Sequence, residues 1–119
     1  PSLPLVMTVA CLEMRLSPAE ALTAVTINAA HAVGVADEVG SLEPGKAADM
    51  ILLDLGGPRA HPLFDPVTHL VFSAAAGDVR DVWVSGRRVV RAGAITQVDL
   101  AETLDAVAAL APRIAASVA

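Results

Sequence analysis

Apolar residues recur at helical spacing along the first third of the chain. Leu3 to Met14 is apolar with few breakers, and this run predicts a buried helix. A second helix is predicted to begin after Ser17, because Ser17 can act as N-cap, Pro18 fits the first helical position and Glu20 completes a capping box. Gly34 is a typical C-terminal stop for it. Between these ends the apolar positions are Leu22, Val25, Ala29 and Val33.

After Gly34 the pattern changes to short apolar runs that are separated by turn residues. The segment Val67–Ala75 is apolar but fits either a strand or a short helical turn. Ser85-Gly86-Arg87 lies between two such runs and predicts a hairpin turn, in which Gly86 can adopt a positive φ. Residues 56–66 hold three prolines and predict a loop. The predicted strands are Met50–Leu55, Val79–Val84, Arg88–Arg91 and Ala94–Val98.

The chain ends in an alanine-rich stretch with one apolar face. Asp99 is predicted to cap a final helix that runs to about Ile114. The order of predicted elements is helix, helix, strands, helix, with helices and strands segregated along the chain. That order indicates the α+β class. The apolar face of the last helix consists of Leu100, Leu104, Val107 and Leu110.

Composition narrows the classes of function. A chain of 119 residues fits one domain, and 55% apolar residues is more than an ordinary small soluble domain carries. The net charge of −5 disfavours nucleic acid and anionic membranes as partners. Cys11 is the single cysteine, so we expect no disulfide framework and a reducing, cytoplasmic setting. No apolar run reaches transmembrane length, and the chain starts at Pro1, which is compatible with a longer native protein.

The segment 40–46 nearly matches a phosphate-binding loop, because Gly40, Gly45 and Lys46 have the G-x-x-x-x-G-K spacing. Three features argue against nucleotide binding. Ala47 has no hydroxyl for a magnesium ion, and Pro44 removes one backbone N–H that would cradle phosphate. The predicted order is helix, loop, strand, whereas a phosphate loop follows a strand and opens a helix. We therefore expect a tight connection here.

The candidates for metal binding are three scattered histidines. His31 lies on the second predicted helix, His61 in the proline-rich loop and His69 at the start of an apolar run. No H-x-H, H-E-x-x-H or C-x-x-C pair brings such ligands together. Each histidine is more simply a polar side chain that a carbonyl or water satisfies.

Candidate nucleophiles and charge pairs also lack a motif. Cys11 falls in an apolar helix, where a thiol usually behaves as an inert hydrophobe. Asp65 with His69 suggests a charge pair, but Asp65-Pro66 is an ordinary start of a turn. Ser17 is already explained as a helix cap, and neither Ser73 nor Ser85 lies in a G-x-S-x-G motif.

Basic residues concentrate around the predicted hairpin. They suggest an anion site or, as the preferred interpretation, solvated strand edges that are guarded by charge. From the residues alone, the chain shows scaffolding and no catalytic constellation. The basic residues are Arg80, Arg87, Arg88 and Arg91.

Four segments, taken together and in order, resemble the C-terminal region of metal-dependent amidohydrolases. They are LSPAEALTAVTINAA (16–30), VGSLEPGKAADMILLD (39–54), DPVTHLVF (65–72) and DVRDVWVSGRRVV (78–90). The later half is most similar to the branch that acts on cytosine, guanine, S-adenosylhomocysteine, methylthioadenosine or chlorinated triazines. The opening LPLVMTVAC (3–11) is more similar to imidazolonepropionases. The substrate therefore stays open.

The resemblance implies a (β/α)₈ barrel with a zinc or iron site and a small β-sandwich built from both chain ends. The family's metal ligands are an H-x-H pair, two further histidines and an aspartate, all on barrel strands. No residue here matches those positions, so we assign no catalytic, cofactor-binding or metal-binding residue to this chain. Residues 1–34 would correspond to the last barrel helices, 35–98 to the C-terminal half of the sandwich, and 99–119 to a terminal helix.

The implied function is that of a structural segment in a hydrolase of cyclic C–N bonds, where a metal-bound hydroxide attacks an amidine or amide carbon. The expected partner is the missing barrel part, or further copies of the chain in a homo-oligomer, because exposed apolar faces and open sheet edges favour association. The alternative is a free-standing, non-catalytic interaction module. An autonomous small enzyme would need converging titratable residues, and none is apparent.

Overall fold

The computed structural model describes residues 2–118, and it confirms the α+β class with one small antiparallel sheet. The described helices are α1 (Leu3–Glu13), α2 (Pro18–Thr23), α3 (Ala29–Ala32), α4 (Pro66–Phe72) and α5 (Leu100–Val118). The described strands are β1 (Met50–Leu53), β2 (Val79–Val84), β3 (Arg87–Arg91) and β4 (Ala94–Ile95). The predicted segregation of helices and strands is wrong, because α4 lies between β1 and β2 along the chain. None of the described helices is long and apolar enough to cross a membrane.

The predicted start of the second helix is confirmed. Ser17 Oγ accepts a hydrogen bond from the Glu20 backbone N–H at 3.3 Å, and Glu20 Oε2 accepts one from the Ser17 N–H at 2.8 Å. The helix then continues through a π-helical turn, Ala24–Asn28, into α3. Gly34 ends it with a φ of +79°, while the Val35 N–H reaches back to the Ala30 carbonyl at 2.9 Å.

The segment that fitted either a strand or a helix is helical. Asp65 caps α4, since its Oδ2 accepts a hydrogen bond from the Thr68 N–H at 2.7 Å, and Pro66 occupies the first helical position. The bonds from Thr68 lower the pKa of Asp65. The interpretation of Asp65-Pro66 as the start of a turn was wrong, because the two residues are the N-cap and the first residue of a helix.

The four strands follow one another in the order β1-β2-β3-β4, each antiparallel to the next. The β2–β3 hairpin turns at Ser85 (φ 49°) and Gly86 (φ 74°), as predicted, although Arg87 belongs to β3 rather than to the turn. A second tight turn at Ala92 (φ 49°) and Gly93 (φ 79°) joins β3 to β4. Both turns have the left-handed backbone of type I′ hairpins.

In each turn, the first residue is not glycine, and a carboxylate accepts its N–H. Asp49 Oδ1 lies 2.6 Å from the Ser85 nitrogen, and Asp81 Oδ1 lies 2.9 Å from the Ala92 nitrogen. A left-handed conformation costs an L-residue roughly 1–2 kcal/mol. These carboxylates therefore hold two strained residues in place.

Ala92→Gly is expected to raise the free energy of unfolding by roughly 0.5–1 kcal/mol, because glycine adopts the left-handed conformation without a Cβ clash while the bond to Asp81 is kept. Denaturant titration of wild type and variant would measure the difference. Ala94→Gly, in β4, is the control and should destabilise, since glycine weakens a strand. A less stable Ala92→Gly protein would contradict the prediction.

The packed core is small. Met7, Ala21 and Val71 form its buried centre, with Cys11 and Leu22 among the residues packed against it. The prediction of a buried first helix is wrong for the described chain, since Met7 is the one buried residue of α1. The helix as such is confirmed.

Helix α5 packs extensively on no other described element, and its residues 100–117 are all exposed. Its predicted start is confirmed, because Asp99 Oδ1 accepts a hydrogen bond from the Glu102 N–H at 3.1 Å. The helix continues to Val118 rather than ending near Ile114. Its apolar face therefore has no partner within residues 2–118.

Candidate functional site

A buried carboxylate lies on the inner strand β2. Asp81 is 1% exposed, and its Oδ1 accepts hydrogen bonds from Arg88 Nε at 3.0 Å and from the Ala92 N–H at 2.9 Å. Arg80 Nε lies 3.4 Å from Asp81 Oδ2. The Arg88 guanidinium also lies 5.4 Å from the centroid of the Trp83 ring, within cation–π range. Asp81 therefore ties β2 to β3 and to the turn that follows β3.

The titration of the carboxylates favours a structural role. The Ala92 N–H, and after it the Arg88 side chain, hold the pKa of Asp81 below its ordinary value of 3.8. The Ser17 backbone N–H lowers the pKa of Glu20 in the same way. A carboxyl with a lowered pKa stays ionised near neutral pH and has no proton to donate as a general acid. These groups anchor backbone rather than transfer protons.

A second buried carboxylate closes the turn before β2. Asp78 is 8% exposed, pairs with the Arg59 guanidinium, and accepts a hydrogen bond from the Ala75 N–H at 2.8 Å. Its own carbonyl accepts the Asp54 N–H at 2.8 Å. Asp78 thereby joins the end of β1, the proline-rich loop and the start of β2.

The glycine- and lysine-containing loop is a tight connection between α3 and β1, as predicted. The Lys46 ammonium donates to the Ala36 carbonyl at 2.6 Å and to Ser41 Oγ at 2.7 Å, with Glu43 at 3.9 Å. The lysine side chain is 13% exposed. The Lys46 ammonium therefore bonds within its own loop, although the spacing of that loop resembles a phosphate-binding loop.

The structure does not bring the three histidines together. His61 Nδ1 lies 2.9 Å from the Gly57 carbonyl, which confirms the simpler interpretation of that side chain. His69 Nε2 is buried without a hydrogen-bond partner among the described residues. His31 lies on α3. Within residues 2–118, no group of three or more His, Cys, Asp or Glu side chains could hold a metal ion.

The candidate nucleophiles lie apart as well. Cys11 is half-buried against the core cluster. Ser17 is a helix cap, Ser73 follows α4, and Ser85 occupies the hairpin turn, where its N–H bonds to Asp49. Ser17 Oγ does donate to Glu20 Oε2 at 2.7 Å, but that carboxylate also accepts the Ser17 N–H and so belongs to the helix cap.

Sequence reasoning missed the ion pairs of the two buried carboxylates. The preferred interpretation of the arginines, solvated strand edges, omitted the pairing of Arg88, whose side chain is 37% exposed and neutralises Asp81. Neither Asp78 nor Asp81 stood out from the sequence, although an aspartate inside an apolar strand is unusual and could have pointed to a partner. Arg59 was hidden in the proline-rich loop, 19 residues before Asp78.

A large apolar surface is the dominant feature of the described molecule. An open groove of about 760 Å³ lies between the α2–α3 helix and β1. The edge strand β1 adds exposed side chains on both of its faces, and Phe64 is 92% exposed. The apolar lining of the groove includes Leu22, Val25, Val33, Met50, Ile51 and Leu53.

The accessible area is larger than that of a compact monomer. The surface measures 8676 Å², whereas a compact monomer of 12.1 kDa would expose about 6,000 Å². The radius of gyration is 18.4 Å, against about 13.5 Å for a compact domain of this length. The excess of about 2,600 Å² exceeds what each partner buries in a standard interface, about 800 Å².

The comparisons with known proteins agree on one family. Residues 3–89 match the sequence model of the amidohydrolase family. An imidazolonepropionase from Geobacillus sp. (strain WCH70) is 42% identical over 92 residues, which is 77% of this chain and 20% of that protein. A 5-methylthioadenosine/S-adenosylhomocysteine deaminase from Teredinibacter turnerae is 41% identical over 76 residues, 64% of this chain and 17% of that protein. The chain spans about a fifth or less of these relatives.

Solved structures show the same relation. An adenosine deaminase from Xanthomonas campestris with bound zinc superposes with a TM-score of 0.82 and 27% identity, over 96% of this chain and 27% of that one. An atrazine chlorohydrolase from Arthrobacter aurescens, complexed with zinc, gives a TM-score of 0.70 and 29% identity, over 80% of this chain and 21% of that one. The fold of the chain thus recurs as a part of larger hydrolases.

Proposed function

Because the chain belongs to the amidohydrolase family, we propose that it is the C-terminal structural segment of a metal-dependent amidohydrolase that hydrolyses cyclic C–N bonds in a deaminase-like reaction. In this proposal α1 to α3 are the last helices of a (β/α)₈ barrel, the sheet is half of a β-sandwich, and α5 is a terminal helix. A cytoplasmic location belongs to the same proposal, since the single Cys11 fits a reducing compartment.

The excess apolar surface is the observation that carries the proposal. A helix that is apolar all round, as α1 is, belongs in an interior. The open edge of β1 and the groove beside it are likewise typical of a sheet that continues elsewhere. The barrel part of the enzyme would cover these faces, so the segment would stabilise the barrel and hold the sandwich.

The residues of the described chain do not fit the metal that the family implies, because His31, His61 and His69 lie on separate elements. Zinc in the two solved relatives supports a metal in the complete enzyme. Its ligands would come from the barrel part. We therefore assign no step of the reaction to this segment.

A specific observation favours a second candidate, a free-standing and non-catalytic interaction module. The sheet closes both of its hairpins and pairs Asp81 with Arg88 without help from outside the chain. The intact mass of the native gene product separates the two candidates. A mass larger than 12.1 kDa by a barrel of roughly 250 residues supports the enzyme, and a mass near 12.1 kDa supports the module.

The chain alone is expected to be inactive, because its titratable residues do not converge. Purified chain of residues 1–119 with added zinc or iron should release no more ammonia from cytosine, guanine or adenosine than the metal alone. The intact gene product under the same conditions is the comparison. Clear turnover by the isolated chain would overturn the assignment of catalysis to the barrel part.

A further inference from the structure

We draw no further inference here: the strongest candidate, the hollow of about 350 Å³ beside α4 that is lined by Pro62, Phe64, Asp65, His69 and Ser73, carries nothing, because Phe64 on its wall is part of the apolar surface already described and nothing in residues 2–118 shows what covers that surface.

Discussion

Asp81→Ala is expected to lower the melting temperature of the protein by roughly 10 °C. The substitution leaves the Arg88 guanidinium without its carboxylate and the Ala92 N–H without its acceptor, and it empties the site of a side chain that is 1% exposed. Arg88, whose side chain is 37% exposed, can regain part of its hydration, so the cost comes mainly from the lost hydrogen bonds and from the space that the buried Asp81 side chain leaves. Thermal unfolding followed by circular dichroism would measure the effect.

Three further variants separate the contributions to this effect. Asp105→Ala, on the exposed α5, is the matched control and should melt within about 2 °C of wild type. Asp81→Asn keeps an acceptor for the Ala92 N–H and should cost less than Asp81→Ala. Arg88→Met combined with Asp81→Ala should recover part of the loss, since no unpaired charge remains. A melting temperature of Asp81→Ala close to wild type would show that the pair contributes nothing.

The same carboxylate predicts a dependence on pH. Because the folded protein holds the pKa of Asp81 below 3.8, the contribution of its ionised form is complete above 3.8 and is lost as the pH falls through the folded pKa. The difference in melting temperature between wild type and Asp81→Asn should therefore be constant near neutral pH and shrink below about pH 3.8. A difference that grows in acid would contradict the assignment.

The parts of the fold that the sequence predicted correctly depend on residues close together in the chain. These features join residues that are no more than three positions apart: the capping box of Ser17 and Glu20, the cap at Asp99 and the turn at Ser85-Gly86. Such signals are local hydrogen bonds and backbone conformations, which the chain specifies without knowledge of its tertiary contacts.

The parts that were missed depend on distant contacts. The apolar run of α4 did not distinguish helix from strand, although Asp65 and Pro66 carried the signal of a helix start. The predicted burial of α1 was wrong because burial requires a partner surface, and within residues 2–118 Met7 is the one residue of that helix that is fully buried. The pair of Asp81 and Arg88 requires the register of β2 against β3, which no sequence window contains.

The candidate site was predicted mostly by exclusion. The scattered positions of His31, His61 and His69 argued against a metal site, and the described structure places them on separate elements. The resemblance to amidohydrolases came from motifs that have structural roles here. Lys46, for example, belongs to the most recognisable segment and ties its own loop together.

Gly40 lies in the same segment, and Gly40→Ala is expected to lower the free energy of unfolding by about 3 kcal/mol. Its backbone has a φ of +93°, which is strained for alanine. An added Cβ would also lie 2.7 Å from Ala30 Cβ, in α3, and 3.0 Å from Ile27 Cα, in the π-helical turn. Neither contact can give way easily, because one atom belongs to the buried Ala30 and the other to the backbone.

Gly45→Ala provides a control of nearly identical backbone strain. Gly45 has a φ of +92°, and an added Cβ there would meet no atom within 4 Å. Gly45→Ala should therefore cost only the left-handed conformation, about 1–2 kcal/mol, and the remainder for Gly40→Ala measures the contact with the helix. Denaturant titration of both variants gives the two numbers. Equal losses of unfolding free energy in the two variants would mean that the loop can move away from the π-helical turn. Gly40 would then be required for its backbone conformation and not for the close approach that joins the helices to β1.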